Sequence, residues 1–168
     1  PRKHALVVKE IKTVKNSWIK AWMPKLTSRE TPLNPYRVIW DVMNSIDRHN
    51  TIVTHDSGSP RDQTVPFFEA LVPGSYIGWG KSTQLGYGLG LAIGAKLANP
   101  HKSVINIMGD TAFGMAGIDI ETAARCKPIF FSLKIASIAP LLCSSVEHIV
   151  QKFVLCTLPM LYNGQTLC

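Results

Sequence analysis

The sequence predicts an α/β fold in which helices cover both faces of a parallel sheet. Helical and extended patterns alternate along residues 32–128, and the run at 103–108 is apolar enough for a strand buried on both faces. A polar turn follows the first predicted strand, at the position where open α/β sheets bind ligands. With 168 residues, of which 46% are hydrophobic, the chain has room for one such domain and its core.

The first predicted helix and strand lie between residues 34 and 54. Asn34 is placed to cap the helix and Pro35 to occupy its first turn, and the apolar spacing continues to Ile46. The β-branched run at 51–54 then predicts a strand. Residues 55–60 are turn formers, so we expect the strand to end there.

Two more helices and one strand are expected further along the chain. The second helix is expected to begin at Ser82 or Thr83, because hydroxyl side chains cap helices well, and to reach Leu97. The strand at 103–108 follows it. A third helix is predicted over 116–125, with acidic residues near its start, where the helix dipole favours them.

Residues 1–31 are basic and account for most of the net charge of +7. Against two glutamates stand eight basic side chains, at Arg2, Lys3, Lys9, Lys12, Lys15, Lys20, Lys25 and Arg29. The apolar spacing predicts a helix over residues 5–22, broken at Pro24. We interpret the segment as a solvated linker. An arm for nucleic acid or an anionic membrane is the alternative, and it lacks an accompanying nucleic-acid motif.

The cysteines and the C-terminal segment argue against several classes of protein. Three of the four cysteines lie in the last 26 residues, without the spacing of a zinc site or a disulfide framework. Residues 129–168 are hydrophobic, but charges interrupt them before they reach the roughly 18 apolar residues of a membrane span. No secretory signal is visible. We expect a cytoplasmic protein without membrane or nucleic-acid partners, with organelle targeting left open.

A carboxylate after the second strand is the first candidate site. Gly109 and Asp110 follow the apolar run at 103–108. A carboxylate at this edge of the sheet can hold Mg²⁺, which in turn bridges phosphates. An ordinary turn is the alternative interpretation.

Residues 55–61 form the second candidate, because hydroxyl groups, a glycine turn and Arg61 together suit a diphosphate. His55 and Asp56 are adjacent in sequence, which does not permit the order of a hydrolase triad. We expect His55 to be a structural hydrogen-bonding residue.

Glycines recur within the second predicted helix. Gly86, Gly90 and Gly94 are four residues apart and would form a groove without side chains, although each glycine costs a helix up to about 1 kcal/mol relative to alanine. The groove predicts close packing of helix on sheet, or the approach of a flat ligand or of another subunit's helix. Residues 88–94 (GLGLAIG) also imitate a dinucleotide-binding fingerprint, with Asp110 following 22 residues after Gly88.

Four motifs occur together and in a fixed order. They are residues 31–38 (TPLNPYRV), 56–58 (DSG), 80–90 (GKSTQLGYGLG) and 109–115 (GDTAFGM). In this combination the chain resembles the C-terminal, diphosphate-binding domain of thiamine diphosphate-dependent enzymes, in the group of acetolactate synthase, benzoylformate decarboxylase and pyruvate oxidase. The resemblance covers about residues 22–129. It implies that family's three-layer α/β fold, here incomplete.

The resemblance also implies cofactor contacts for particular residues. The residues expected near the diphosphate are Gly58, Ser59, Gly109, Thr111 and Ala112. Thr83 and Leu85 would place their backbone against the aminopyrimidine ring, and Asp110 would bind Mg²⁺. No catalytic residue is assigned to this chain, because the family's catalytic glutamate belongs to a separate pyrimidine-binding domain.

The chain departs from the family pattern at two places. Thr111 replaces the family's usual Gly or Ala, which is a modest change. The paired asparagines that close the family's metal motif are expected near Ile135 and Ala136 and are absent, and the next asparagine, Asn163, lies 53 residues after Asp110. We hypothesise a frameshift, a retained intron or a gene-model error near residue 129. Sequencing the transcript across codons 125–140 tests this hypothesis.

The sequence therefore predicts a basic interdomain linker at 1–31, a partial cofactor domain at 32–128 and a divergent hydrophobic tail at 129–168. The expected function is to bind thiamine diphosphate and Mg²⁺ in an acetolactate synthase-like enzyme of the 2-keto acid decarboxylase or carboligase type. These residues are expected to be inactive alone, and the intact enzyme is expected to be a homo-oligomer. The alternatives are a non-catalytic partner subunit that docks on a full-length enzyme and, less favoured, a nicotinamide-dependent oxidoreductase.

Overall fold

The computed structural model describes residues 2–80, 84–126 and 131–134, the last of these by backbone alone. The chain divides into two compact units. The first unit comprises Pro1–Asp47 and Asp62–Glu69, and the second comprises Arg48–Arg61 and Ala70–Cys168.

Two helices form the first unit, together with residues 62–69. Helix α1 spans Arg2–Leu26 and α2 spans Pro35–Ser45. The expected break at Pro24 is wrong, because the helix continues through it and the side chain of Leu26 is fully buried, which stabilises the last turn. The cap of α2 is confirmed: Oδ1 of Asn34 accepts a hydrogen bond from the backbone N–H of Tyr36 at 3.0 Å.

An aromatic cluster packs the first unit. The rings of Trp18 and Phe67 stack with centroids 4.8 Å apart, and Trp22 meets Phe67 edge-on at 5.1 Å. Tyr36 lies edge-on to both Trp22 and Phe67. The two tryptophans of the basic segment therefore belong to an aromatic cluster of this unit, in which Trp18 stays exposed and Trp22 is half-buried.

The second unit contains a four-stranded sheet. Strands β1 (Thr51–His55), β2 (Tyr76–Ile77), β3 (Ser103–Met108) and β4 (Phe131–Lys134) are arranged in the order β2-β1-β3-β4. All three pairings are parallel, with His55 opposite Ile107 at the carboxyl end. Every residue of β1 is buried, as are five of the six residues of β3, so side chains on both faces of these strands are covered. The predicted α/β class with a parallel sheet is confirmed.

Four further helices lie within the described residues. They are α3 (Ser59–Thr64), α4 (Tyr87–Ala98), α5 (Asp110–Ala116) and α6 (Asp119–Cys126). Helix α4 packs on β1 and β3 through two clusters, one around Ala92 with Ile52 and Val104, and one around Leu89 with Met108 and Ala112.

Two predicted helix starts are wrong. The second helix begins at Tyr87, because Gly86 takes a left-handed conformation, with φ of 92°, that interrupts any helix from the earlier serine and threonine. The helix predicted to begin at Ala116 is α6, which begins at Asp119, and Ala116 is instead the last residue of α5. Helix α5 forms from Asp110 because Ala112 is fully buried against Leu89 and Met108.

The C-terminal segment is described only at 131–134, where β4 extends the sheet. Of the tail predicted at 129–168, residues 129–130 and 135–168 lie outside the described residues. Within the described part of the chain, none of the helices is long and apolar enough to cross a membrane.

Candidate functional site

Three turns meet at the carboxyl edge of the sheet in the second unit. The first turn, at 56–59, joins β1 to the start of α3. The second, at 109–112, joins β3 to α5 and includes the first residues of that helix. Residues 84–86 form the third and lead into α4. The N–H of Asp56 donates to the carbonyl of Ile107 at 2.8 Å, so the first two turns start side by side. A Cβ built on Gly86 would lie 2.9 Å from the Cβ of Ala116, so the third turn packs directly against α5. This edge is where the sequence predicted a ligand site.

Asp56 joins β1 to the start of α4. Its side chain is completely buried. Oδ1 accepts the N–H of Ser57 at 2.8 Å and that of Gly86 at 3.0 Å, while Oδ2 accepts those of Gly86 at 3.2 Å and Gly88 at 3.1 Å. The carboxylate thus satisfies N–H groups at the beginning of α4 that have no partner within the helix. It caps α4 from a site 30 residues earlier in the chain.

This role of Asp56 was missed in the sequence, where only its loop was singled out. The sequence does show that Asp56 is a carboxylate directly after a predicted strand. The same observation made Asp110 a candidate site residue. What the sequence does not reveal is the partner, because Gly86 and Gly88 are brought to Asp56 only by the folding of α4 onto the sheet.

The glycines of α4 divide into two kinds. A Cβ on Gly88 would lie 2.9 Å from both Asn106 Oδ1 and the carbonyl oxygen of His55, so close packing of helix on sheet requires glycine here. A Cβ on Gly90 or Gly94 would meet no atom within 4 Å. The predicted groove of Gly86, Gly90 and Gly94 is therefore wrong, since Gly86 precedes the helix and the close approach occurs at Gly88.

The residues expected near a diphosphate lie on two of the three turns. Gly58 has a φ of 78°, is exposed, and has no atom within 4 Å of a built Cβ, so open space lies over its backbone. Ser59 is exposed at the start of α3. Across the edge, Gly109 is half-buried and Thr111 is exposed, whereas Ala112 is buried and has a packing role.

The remaining predicted contacts are a carboxylate and a ring-binding pair. Asp110 is exposed, and its Oδ1 accepts the N–H of Thr111 at 2.8 Å. Leu85 exposes 37% of its surface, and Thr83 lies outside the described residues. Within the described ranges, no group of three or more His, Cys, Asp or Glu side chains lies close enough together to hold a metal ion.

A histidine and three aromatic rings lie beside this edge. His55 is buried, and its Nδ1 lies 3.1 Å from the carbonyl oxygen of Asp56 and 3.4 Å from Tyr87 Oη. The rings of His55 and Tyr76 are 5.2 Å apart, and the indole of Trp79 stacks on Tyr87 at 5.5 Å. These contacts agree with the structural role predicted for His55.

Burial raises the pKa of the Tyr87 phenol, and the nearby Asp56 charge also raises this pKa, whereas the N–H of Trp79 and the charge of Arg61 oppose the rise. Burial, with a smaller contribution from Tyr87, also raises the pKa of Tyr76. Both phenols therefore remain protonated at neutral pH and can serve as neutral hydrogen-bonding groups.

Comparisons with known proteins agree with this geometry. Residues 56–131 match the family described as "Thiamine pyrophosphate enzyme, C-terminal TPP binding domain". The matched range starts at the buried Asp56, includes the three turns and reaches β4.

Several curated proteins are similar to the chain. A probable acetolactate synthase large subunit of Methanocaldococcus jannaschii is 35% identical over 133 residues, which are 72% of this chain and 22% of the relative. A 2-hydroxyacyl-CoA lyase of Saccharomyces cerevisiae is 32% identical, covering 61% of this chain and 18% of the relative. An acetolactate synthase of Bacillus subtilis is 32% identical over 56% of this chain and 16% of its own length.

The chain spans about a fifth of the length of the curated relatives it matches. The matched part is the part whose fold and turns are described above. The family match and the acetolactate synthase relatives therefore support a thiamine pyrophosphate-dependent enzyme family, and residues 56–131 correspond to part of its C-terminal cofactor-binding domain.

Proposed function

We propose that the chain anchors the diphosphate of thiamine diphosphate through Mg²⁺ in an acetolactate synthase-like enzyme that decarboxylates or joins 2-keto acids. The observation that carries the proposal is the contrast between two carboxylates at one sheet edge. Asp56 is buried and occupied by N–H donors, whereas Asp110 is exposed beside the open backbone of the turns. When bound, this cofactor supplies a stabilised carbanion equivalent for reactions at a keto carbon.

The described residues fit such a group. Gly58 leaves room for phosphate oxygens to approach its backbone. Asp110 offers a carboxylate oxygen to Mg²⁺, and Gly109, Thr111 and Ser59 line the turns around it. Thr83 and Leu85 would hold the aminopyrimidine ring. The protein's contribution at this edge is to bind and orient the cofactor.

We also propose that these 168 residues bind the cofactor weakly and do not turn over substrate alone. The asparagine pair expected near residue 135 is absent from the sequence, which leaves Asp110 as the single proposed protein ligand. Incubation with pyruvate, Mg²⁺ and thiamine diphosphate should release no cofactor-dependent CO₂. Robust turnover would contradict this part of the proposal.

The division into a linker at 1–31, a cofactor domain at 32–128 and a divergent tail at 129–168 stays a proposal, as do a cytoplasmic location and homo-oligomeric assembly of the intact enzyme. Transcript sequencing across codons 125–140 tests the tail. An asparagine pair in another reading frame would support the frameshift hypothesis, and a clean read that reproduces the printed tail would contradict it.

Calorimetric titration with Mg²⁺ and thiamine diphosphate tests the binding function. Asp110→Asn should lower the affinity about tenfold or more, because it removes a charge-assisted contact to the metal. Asp119→Asn is the matched control, since Asp119 is also an exposed carboxylate in a first helical turn. Equal affinities for the two variants would contradict a metal-binding role of Asp110.

A non-catalytic partner subunit is the second candidate, favoured by the open, exposed helix surface at Gly90 and Gly94. Co-purification with a complete thiamine diphosphate enzyme that is abolished by Gly94→Leu, with cofactor binding unchanged, would favour it. The nicotinamide alternative loses support, because β2 ends at Ile77 and α4 begins at Tyr87, so no strand runs directly into the glycines.

A further inference from the structure

Trp79 is a large aromatic side chain held on the surface beside the proposed cofactor site. It exposes 61% of its surface. It is also the single tryptophan of the second unit, since the other three in the sequence belong to the first. An exposed indole offers a flat, apolar face on which a planar ligand can stack.

The indole is fixed in place by its own loop and by α4. One face stacks on Tyr87, with ring centroids 5.5 Å apart and planes 25° apart. The backbone N–H of Trp79 donates to Tyr87 Oη at 3.3 Å, and the same oxygen lies 3.4 Å from His55 Nδ1. A Cβ on Gly78 would lie 1.9 Å from His55 Nε2, so the imidazole packs directly against the backbone that precedes Trp79. These contacts therefore fix the position of the indole before any ligand binds.

The position of this ring connects it with the three turns. Trp79 lies in the segment that runs toward Leu85, and its support, Tyr87, is the first residue of α4. Tyr87 lies within electrostatic range of the Asp56 carboxylate, which binds the N–H groups of Gly86 and Gly88. We call the Asp56 carboxylate with the N–H groups of Gly86 and Gly88 the clamp. Because Tyr87 lies between these two glycines, the clamp that holds the start of α4 also positions the stack of Tyr87 and Trp79.

We infer that the exposed face of Trp79 is the surface on which a ring of the bound thiamine cofactor stacks. The inference rests on the proposed function. Thiamine carries a cationic thiazolium ring and a planar aminopyrimidine, and indole is the side chain that attracts a cationic ring most strongly. The turns at 58 and 109–111 would hold the diphosphate end, and Trp79 would contact the ring end.

Tryptophan fluorescence and calorimetry of the whole 168-residue chain test the inference. The ligands are Mg²⁺ with thiamine diphosphate and Mg²⁺ with inorganic pyrophosphate, which lacks the rings. The variants are Trp79→Phe and the control Trp40→Phe, which changes a tryptophan of α2 in the first unit. Thiamine diphosphate should quench the wild-type chain and Trp40→Phe, but not Trp79→Phe.

Trp79→Leu, which removes the aromatic face, should weaken thiamine diphosphate about two- to fivefold, the range of an exposed cation–π contact, and leave pyrophosphate affinity unchanged. Circular dichroism checks that the variant folds, and Trp79→Tyr gives a second test that retains a polar aromatic ring. Unchanged thiamine diphosphate affinity with quenching that persists in Trp79→Phe would overturn the inference alone. Failure of the wild-type chain to bind either ligand would overturn the proposed function, and the inference with it.

Discussion

Replacing Asp56 by asparagine tests whether this carboxylate holds the start of α4. The substitution keeps the shape of the side chain but turns one oxygen acceptor into an NH₂ donor. Three backbone N–H groups, those of Ser57, Gly86 and Gly88, point at the two oxygens in a fully buried position. In either amide orientation at least one of these N–H groups faces another donor.

The expected loss of stability follows from this count of donors. A hydrogen bond to a charged group contributes about 1.5–3 kcal/mol, and a buried donor without a partner carries a penalty of similar size. The lost negative charge at the helix N-terminus adds up to about 1 kcal/mol. We expect Asp56→Asn to lower the free energy of unfolding by about 2–4 kcal/mol. With a urea dependence of about 2 kcal/mol per M, the middle of the usual range for small proteins, the unfolding midpoint should fall by about 1–2 M.

Urea unfolding monitored by circular dichroism measures this change, with Asp119→Asn as the matched control. Asp119 is exposed at the start of α6. Its replacement should therefore lower the free energy of unfolding by no more than the helix-dipole contribution of about 0.3–1 kcal/mol. An Asp56→Asn midpoint equal to that of the control would refute the clamp. Unchanged stability with a lost affinity for thiamine diphosphate would instead identify Asp56 as a ligand-binding group.

Three further predictions concern glycines and a phenol. Gly78→Ala should destabilise the chain by about 1–3 kcal/mol, because its Cβ would lie 1.9 Å from His55 Nε2; an unchanged urea midpoint would argue against this packing. Gly94→Ala meets no atom within 4 Å and should stabilise α4 by up to about 1 kcal/mol, seen as a higher melting temperature. Burial raises the pKa of Tyr76, so the unfolded state ionises first above about pH 10 and stability falls there as pH rises. Tyr76→Phe should lose less stability than wild type between about pH 9 and pH 11, and parallel losses would contradict the assignment.

Local sequence patterns located β1 and β3 well, whereas the two-residue strand β2 was not predicted. The β-branched run at 51–54 became β1 with one added residue, and the run at 103–108 became β3 with the predicted bounds. Both runs consist mainly of residues that favour strands and end at polar turns, so their boundaries depend on near neighbours in the chain. The N-cap at Asn34 was predictable for the same reason, because its hydrogen-bond partner lies two residues away.

Helix starts that depend on distant contacts were not predictable in this way. Helix α4 begins where the Asp56 carboxylate accepts the N–H groups of Gly86 and Gly88, which lie 30 and 32 residues further along the chain. Helix α5 contains Thr111 and Gly114, which disfavour helix, and it forms where the buried Ala112 packs on α4 and β3. The same limit applies to the glycine row, since spacing alone does not separate the packed Gly88 from the open Gly90.

The two carboxylates at the sheet edge have different environments, and under the proposed function this difference predicts different roles for them. A carboxylate accepts about four hydrogen bonds. Four contacts from three N–H groups surround Asp56, which leaves no direction for a cation. Asp110 is exposed and, within the described part of the chain, accepts one N–H, that of Thr111, so its remaining lone pairs face solvent. Removal of charge at Asp56 should therefore change the stability of the fold, and removal at Asp110 should change the Mg²⁺-dependent affinity for the cofactor.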